Sequence, residues 1–442
     1  MALTSTSVIE INQTALANDN NSGAFDVTLS GSTGNDMTYG TYAAVVPGTF
    51  SCTGSSTITA SSAVFTSSML GNTVNPVGVT GAPWVITAVN SSTSVTVNTA
   101  NGTPPTFTNI TGYVGGPKAS PGAAGAIWVS KNNMFLSGAF TCTSATSNVP
   151  GGVFTIPSFG LTQGYGTTRG DGTAFSFSAG TITGVTLISA SGNYGLIQNA
   201  YADGAGGASN NGIALYGQSV GVNVSAVNCP HFGIAVHNAG QVNGFFAMSC
   251  GSGAYVSGQA ASFDNGAVVG CTQYGIQTND VGGLCSRVIF SGNAVGLFWN
   301  GGIIQCSFYN NSTAAMKLWN YASYVENSII YGNGGIGMDN INSGLTTLIT
   351  DAAGSNTGGN TSGSFIGDPL IALTANPFVN PTATINSVPS AFAAFALNNT
   401  AGGGALCRGA GTPAYLDIGA VQSAPSGGSS GYPRIVVPRR RY

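Results

Sequence analysis

Any chemistry on this chain has to come from few side chains, because 442 residues carry only 13 Asp or Glu, 10 Lys or Arg and two His. The carboxylates in its central part are Asp203, Asp264, Asp280, Glu326, Asp339 and Asp351. Glycoside hydrolysis needs two carboxyls about 5 to 9.5 Å apart, flanking one bond. Asp264 and Asp280 are 16 residues apart, a spacing that places them on different sides of neighbouring repeats. Asp280 and Glu326 are about two repeats apart and would approach within about 10 Å only on a shared face. Asp264-Asn265 and Asn279-Asp280 are ordinary turn dipeptides. No catalytic residue is assigned.

The same scarcity limits metals and cofactors, and none is expected. His231 and His237 lack an acidic or cysteine partner at ligand spacing, and no C-x-x-C occurs. Arg169-Gly170-Asp171 reads as a turn with a local ion pair. Two groups point to binding instead. Trp299 and Trp319, 20 residues apart, with Tyr309 and Tyr331, are expected to expose rings suited to sugar faces. Arg434, Arg439, Arg440 and Arg441 form a basic tail expected to dock on a neighbouring capsid or tail subunit. A sequence pI near 5.1 argues against nucleic acid as its partner.

These residues need a scaffold, and composition makes it all-β. Charged residues are only 5% of the chain, too few for solvated helix faces, whereas 67 Gly and 43% hydrophobic residues suit short strands around a sizeable core. From Gly212 a Gly followed by apolar alternation returns at Gly233, Gly253, Gly275, Gly296, Ala315 and Gly335, in steps of 21, 20, 22, 21, 19 and 20 residues. A second strand series lies between: Val220 to Val227, Val242 to Met248, Ala267 to Val269, Arg287 to Phe290, Ile303 to Phe308 and Val325 to Tyr331. That period is too short for a strand plus crossover helix. It predicts a right-handed, single-stranded parallel β-helix, a solenoid of stacked rungs. Cys229, Cys250 and Cys271 stand 21 apart, as do Cys285 and Cys306, which predicts inward ladders of small buried thiols. Asn265, Asn310, Asn311 and Asn333 suggest an amide ladder.

Four regions follow. Residues 1–115 form a small β-rich docking region with strands at Val8 to Ile11 and Ala24 to Val27, and a hairpin of Trp84 to Val89 with Ser94 to Val97. Residues 116–350 form the β-helix, 351–424 a C-terminal cap, and 425–442 a flexible linker with the basic tail. The start lacks a secretory leader pattern and no stretch of 18 apolar residues occurs, so folding in a cytoplasm with reduced thiols and no membrane partner is expected.

The rung-like segment Ala119 to Thr143, the turn Gly164 to Gly172, Gly367-Asp368-Pro369 and the strand Tyr415 to Val421 resemble the β-helical proteins of tailed bacteriophages, over roughly residues 115 to 422. That group shares its architecture with pectate lyases and tailspikes. The resemblance implies a homotrimer assembled in the host cytoplasm and exposed on the virion, as tailspike, fibre or capsid decoration. Such a protein contacts other virion proteins and attaches to host-surface polysaccharide. The alternative is a polysaccharide-degrading β-helix enzyme, a lyase or glycoside hydrolase. The adjacent Asp-Asp, His-Gly and Arg-x-Lys elements of polygalacturonases are absent, and Arg287 has no carboxylate cluster near it in sequence. The expected function is therefore structural and adhesive, not enzymatic.

Overall fold

The computed structural model describes residues 8–11, 48–65, 67, 73–82, 84–99, 102–115, 133–149, 152–156, 159–166, 171–280, 283–319, 324–341, 344–413 and 416–422. The expected strand at 24–27, the first part of the opening rung (119–132) and the arginine tail lie outside these residues.

Each gap between successive glycines is one turn of a right-handed parallel β-helix. A rung such as 220–237 runs through two strands, Val220–Val227 and Phe232–His237, and the first of them bends at its middle. The bend divides its outer surface into two faces. We call the arm before the bend sheet A, the arm after it sheet B, and the series containing Phe232–His237 sheet C. Among the described residues sheet C has eleven strands, all parallel.

The corner between A and B needs one left-handed residue per rung. Asn223, Gly244, Asn265, Arg287, Gln305, Asn327 and Thr350 supply it, with φ between 52° and 67°. Asn tolerates this region well, whereas Arg, Gln and Thr enter it at a steric cost. A second left-handed column, Asn228, Ser249, Gly270, Gly292, Asn310, Gly332 and Ser355, turns the chain from B towards C.

Behind that second column lies one inward position. It is occupied in order by Cys229, Cys250, Cys271, Asn293, Asn311, Asn333 and Asn356, so thiols and amides share one column, whereas Asn265 and Asn310 of the expected amide ladder sit at the left-handed turns instead. Asn293 Oδ1 accepts from the Cys271 amide at 2.9 Å, where thiols give way to amides. Each later Asn donates Nδ2 to the next Oδ1, at 3.1, 2.9 and 2.8 Å. The same nitrogens satisfy the carbonyls of Val268, Phe290 and Phe308. Buried amides that satisfy one another and the turn backbone avoid the penalty of unpaired polar groups.

Cys285 and Cys306 do not share a column, despite their spacing of 21 residues. Cys285 is in register with Ile303, only 18 residues on, because that rung is shortened. Cys306 moves to the A–B corner instead, where its amide donates to Ser328 Oγ at 3.2 Å. All eight cysteines are buried free thiols.

Like stacks on like through the core. Ile213, Ile234, Ala254, Ile276, Leu297, Met316 and Met338 form one inward column of sheet C and are all fully buried. With adjacent strands about 4.8 Å apart, such columns close-pack without voids.

Two terminal features depart from the sequence reading. Val8–Ile11 pairs in parallel with Asn133–Leu136 and belongs to the solenoid rather than to the N-terminal region. The seven-stranded sheet within residues 50–115 is therefore an insertion between two rungs, built on a core of Phe50, Ile58, Val74, Trp84, Val95 and Val114. The expected hairpin is present in it, with Trp84–Ser91 antiparallel to Ser94–Val97. The C-terminal region does cover apolar surface, but along the flank of the solenoid instead of across its end.

Candidate functional site

The three outer faces differ. On sheet A the outward residues mix polar side chains with apolar ones such as Val222, Ile304 and Ile349, and two polar groups pair between rungs. Gln163 Nε2 donates to Gln198 Oε1 at 2.7 Å. Asp264 accepts from Ser286 Oγ at 2.7 Å and from Arg287 Nε at 2.9 Å, and Arg287 Nη2 closes a bidentate ion pair. The solenoid thus brings Arg287 a carboxylate that the sequence does not place beside it. Each charge is already neutralised by the other.

Sheet B faces outward with Phe246, Ala267, Ile289, Ser307, Ile329 and Ala352 in one column, and Val227, Tyr309 and Tyr331 in the column beside it. Apart from Ser307 and the two tyrosines, these carry no polar atom beyond the backbone. The C-terminal segment covers them with Leu373, Phe378, Ile385, Phe395, Leu397 and Ile418. Its short helix, Val388–Ala394, starts in a capping box: Ser387 Oγ accepts from the Ser390 amide, and Ser390 Oγ from the Ser387 amide. Polar stitches fix the end of the segment. Asn327 Oδ1 accepts from the Thr412 amide at 2.7 Å, and Ser307 Oγ from the Ala420 amide at 2.9 Å.

Among the described residues no helix or further strand packs over sheet C, which is lined with rings. Six consecutive rungs each contribute at least one: Tyr216, Phe232 with His237, Tyr255, Tyr274, Phe298 and Trp319. At about 4.8 Å per rung the row is about 24 Å long. Tyr216 stacks on His237 at 4.3 Å between centroids, Phe232 on Tyr255 at 4.4 Å, and Phe298 on Trp319 at 5.8 Å. Two polar tips along the row have partners. His237 Nδ1 lies 2.5 Å from Ser257 Oγ, and Tyr255 Oη accepts from Asn279 Nδ2 at 3.1 Å. Burial pushes the His237 pKa down, favouring the neutral ring.

The sugar-binding expectation changes in its residues. Trp299 has 0% exposure and points into the core, with Nε1 lacking a hydrogen-bond partner among the described residues. It cannot meet a ligand. Tyr309 and Tyr331 lie on sheet B beneath the C-terminal segment, and Tyr309 packs edge-on against Phe378 and Phe395. Only Trp319 of the four lies on the open face. The other rings were legible in the repeat: outward side chains fall one position before the rung glycine (Phe232, Tyr274) or two after it (Tyr255, Phe298). Trp299 is three after its glycine, an inward position. Arg434, Arg439, Arg440 and Arg441 lie outside the described residues.

The carboxylates singled out in the sequence are spread over the solenoid, except that Glu326 lies near Asp351, with Asp368 also close to it. Asp264 is on sheet A, while Asp280 accepts from the Gly258 amide at 2.9 Å in the turn after sheet C. Glu326 is on sheet A, flanked in register by Ile304 and Ile349, and burial raises its pKa. Asp351 is buried at the A–B corner and accepts from the amides of Ser328 and Ile349 at 2.7 and 3.3 Å. Burial pushes its pKa up to about 8. Asp171 accepts from the amides of Gly166 and Thr173, which is a turn function. Among the described residues no cluster of His, Cys, Asp and Glu could hold a metal ion, and no helix is long and apolar enough to cross a membrane.

Comparison with known proteins returns solved structures only; no protein-family model and no curated protein matches. Pectate lyase Pel9A is 14% identical over 70% of this chain and 92% of its own, with a TM-score of 0.46. ORF18 of Geobacillus virus E2 is 11% identical over 56% of this chain and 55% of its own, with a TM-score of 0.42. The A-module of the Azotobacter vinelandii mannuronan C-5 epimerase AlgE4 is 10% identical over 54% and 86%, with a TM-score of 0.37. At such identities no activity and no site residue is carried over from any of them.

Proposed function

We propose that this chain is a structural, adhesive protein on the surface of a bacteriophage particle, a tailspike, fibre or capsid decoration, and that sheet C holds polysaccharide of the host surface. A homotrimer and contacts with other virion proteins belong to the same reading. The observation that carries the adhesive part is the open row of rings, one or more on each of six rungs, beside a sheet B face that the chain covers for itself. Ring rims and partnered polar tips suit a sugar chain, which offers C–H patches and hydroxyls together. Lys317 stands in register with Asp339 on the same face, so the row favours an uncharged glycan over an acidic one. The test combines purified particles with host polysaccharide. Mass spectrometry should find the chain in the particles, and the isolated protein should bind the polysaccharide without releasing reducing or unsaturated ends. Absence from particles overturns the virion assignment; release of such ends overturns the non-enzymatic one.

A further inference from the structure

The far end of the solenoid is unlike its flanks. Its last strands, Thr361–Ser362, Phe365–Gly367 and Ile371–Ala372, each pair with preceding rungs and, among the described residues, with nothing beyond them. Their outer edges therefore present open backbone donors and acceptors. Three large apolar side chains are exposed at the same end: Ile341 at 43%, Leu345 at 55% and Ile366 at 50%. The end also carries carboxylates: residues 320–373 contain Asp339 and Asp368, besides Glu326 and the buried Asp351, and neither Lys nor Arg.

The chain beyond Gln422 has the opposite character. Its 20 residues hold four Arg and no Asp or Glu, and Pro433 and Pro438 bracket Arg434-Ile435-Val436-Val437. We propose that residues 433–442 dock on the open end of their own solenoid. Ile435, Val436 and Val437 add an edge strand over Phe365 and Ile366, and the arginines lie against Asp339 and Asp368. Three physical points select this occupant. The strands at the end are two or three residues long, the length of the β-branched run. Prolines on both sides cannot donate to a ladder, so they confine the added strand to the residues between them. Two such ends from different copies would bring like charges together.

Reach favours the same molecule. The Ala420 amide is held at Ser307, and Ser307, Ile329, Ala352 and Ile371 are successive register partners. The end of the described chain is thus three rungs, about 14 Å, from the last one. Residues 423–432 can span about 33 Å.

The experiment compares hydrogen exchange in the full chain with that in a version ending at 424. Amides of 361–372 should exchange about tenfold faster in the shortened chain, while those of 211–340 stay unchanged and report an intact fold. A synthetic peptide of residues 433–442 added to the shortened chain should restore protection, and high salt should weaken it. Equal exchange at 361–372 in both chains overturns the proposal. So does protection that rises with protein concentration, which would make the contact intermolecular. Loss of particle incorporation on truncation without a change in exchange would assign the tail to another subunit, and would also overturn it.

Discussion

Sheets B and C both turn apolar side chains away from the core, yet one face is covered by the chain itself and the other is left in water. The difference is chemical. Sheet B offers mostly aliphatic side chains and Phe246, and the hydroxyl of Ser307 in the same column is taken up by the covering segment. Sheet C offers rings stacked on one another along the axis, several with a polar tip already hydrogen-bonded. Stacking removes much of each ring from water while the rims stay outside, so sheet C needs no second layer. An outward apolar residue on a solenoid is therefore not by itself a sign of a binding face.

The same charge placed on both faces gives the largest contrast. Ile289→Asp should destabilise by at least about 3 kcal/mol, since it buries an unpaired carboxylate beneath the C-terminal segment. Phe298→Asp on sheet C should cost about 1 kcal/mol or less. Urea unfolding of both variants measures the gap, and equal costs would mean that sheet C is covered too.

Asp351, at the edge of sheet B, comes next. Its pKa is raised to about 8 by burial, so between about pH 4 and pH 8 the folded state keeps a proton that the unfolded state has lost. Stability should fall as pH rises through that window. Asp351→Asn keeps an oxygen for the Ser328 amide, loses the acceptor for the Ile349 amide and cannot titrate, so it should flatten the profile. A wild-type profile without a decline between pH 4 and pH 8 would show that the carboxyl is hydrated.

A binding readout sharpens the contrast from the other side. Tyr255→Ala with Phe298→Ala should weaken polysaccharide binding about tenfold, if each ring contributes about 0.5 to 1.5 kcal/mol. The melting temperature should move by only a few degrees. Binding that survives both changes would move the ligand to another face. The smallest effect belongs to Tyr331→Phe on the covered face, which should leave binding unchanged and stability within about 0.5 kcal/mol.

Much of the scaffold was legible before any coordinates. The glycine beat marked the rungs of sheet C, and the spacing of Cys229, Cys250 and Cys271 marked a true inward column, because a solenoid converts sequence period directly into stacking. The site was less legible. Trp299 and Phe298 are neighbours in sequence and opposite in direction, and only their place relative to Gly296 separates them. Cys285 and Cys306 share the spacing of the true ladder but not its column, because one short rung shifts the register between them.

The sequence by itself determined the architecture: a repeat near 20 residues, few charges and many glycines leave little else that buries this much apolar side chain. Only the tertiary structure decided which outward residues meet water. Tyr309 and Tyr331 lost their exposure to a segment that returns from the far end of the chain, with Phe378 and Phe395 at its centre. Likewise Asp264 met Arg287 by stacking one rung on the next. Periodicity encodes contacts one rung away, whereas contacts made by a returning segment depend on shape and burial that no local pattern records.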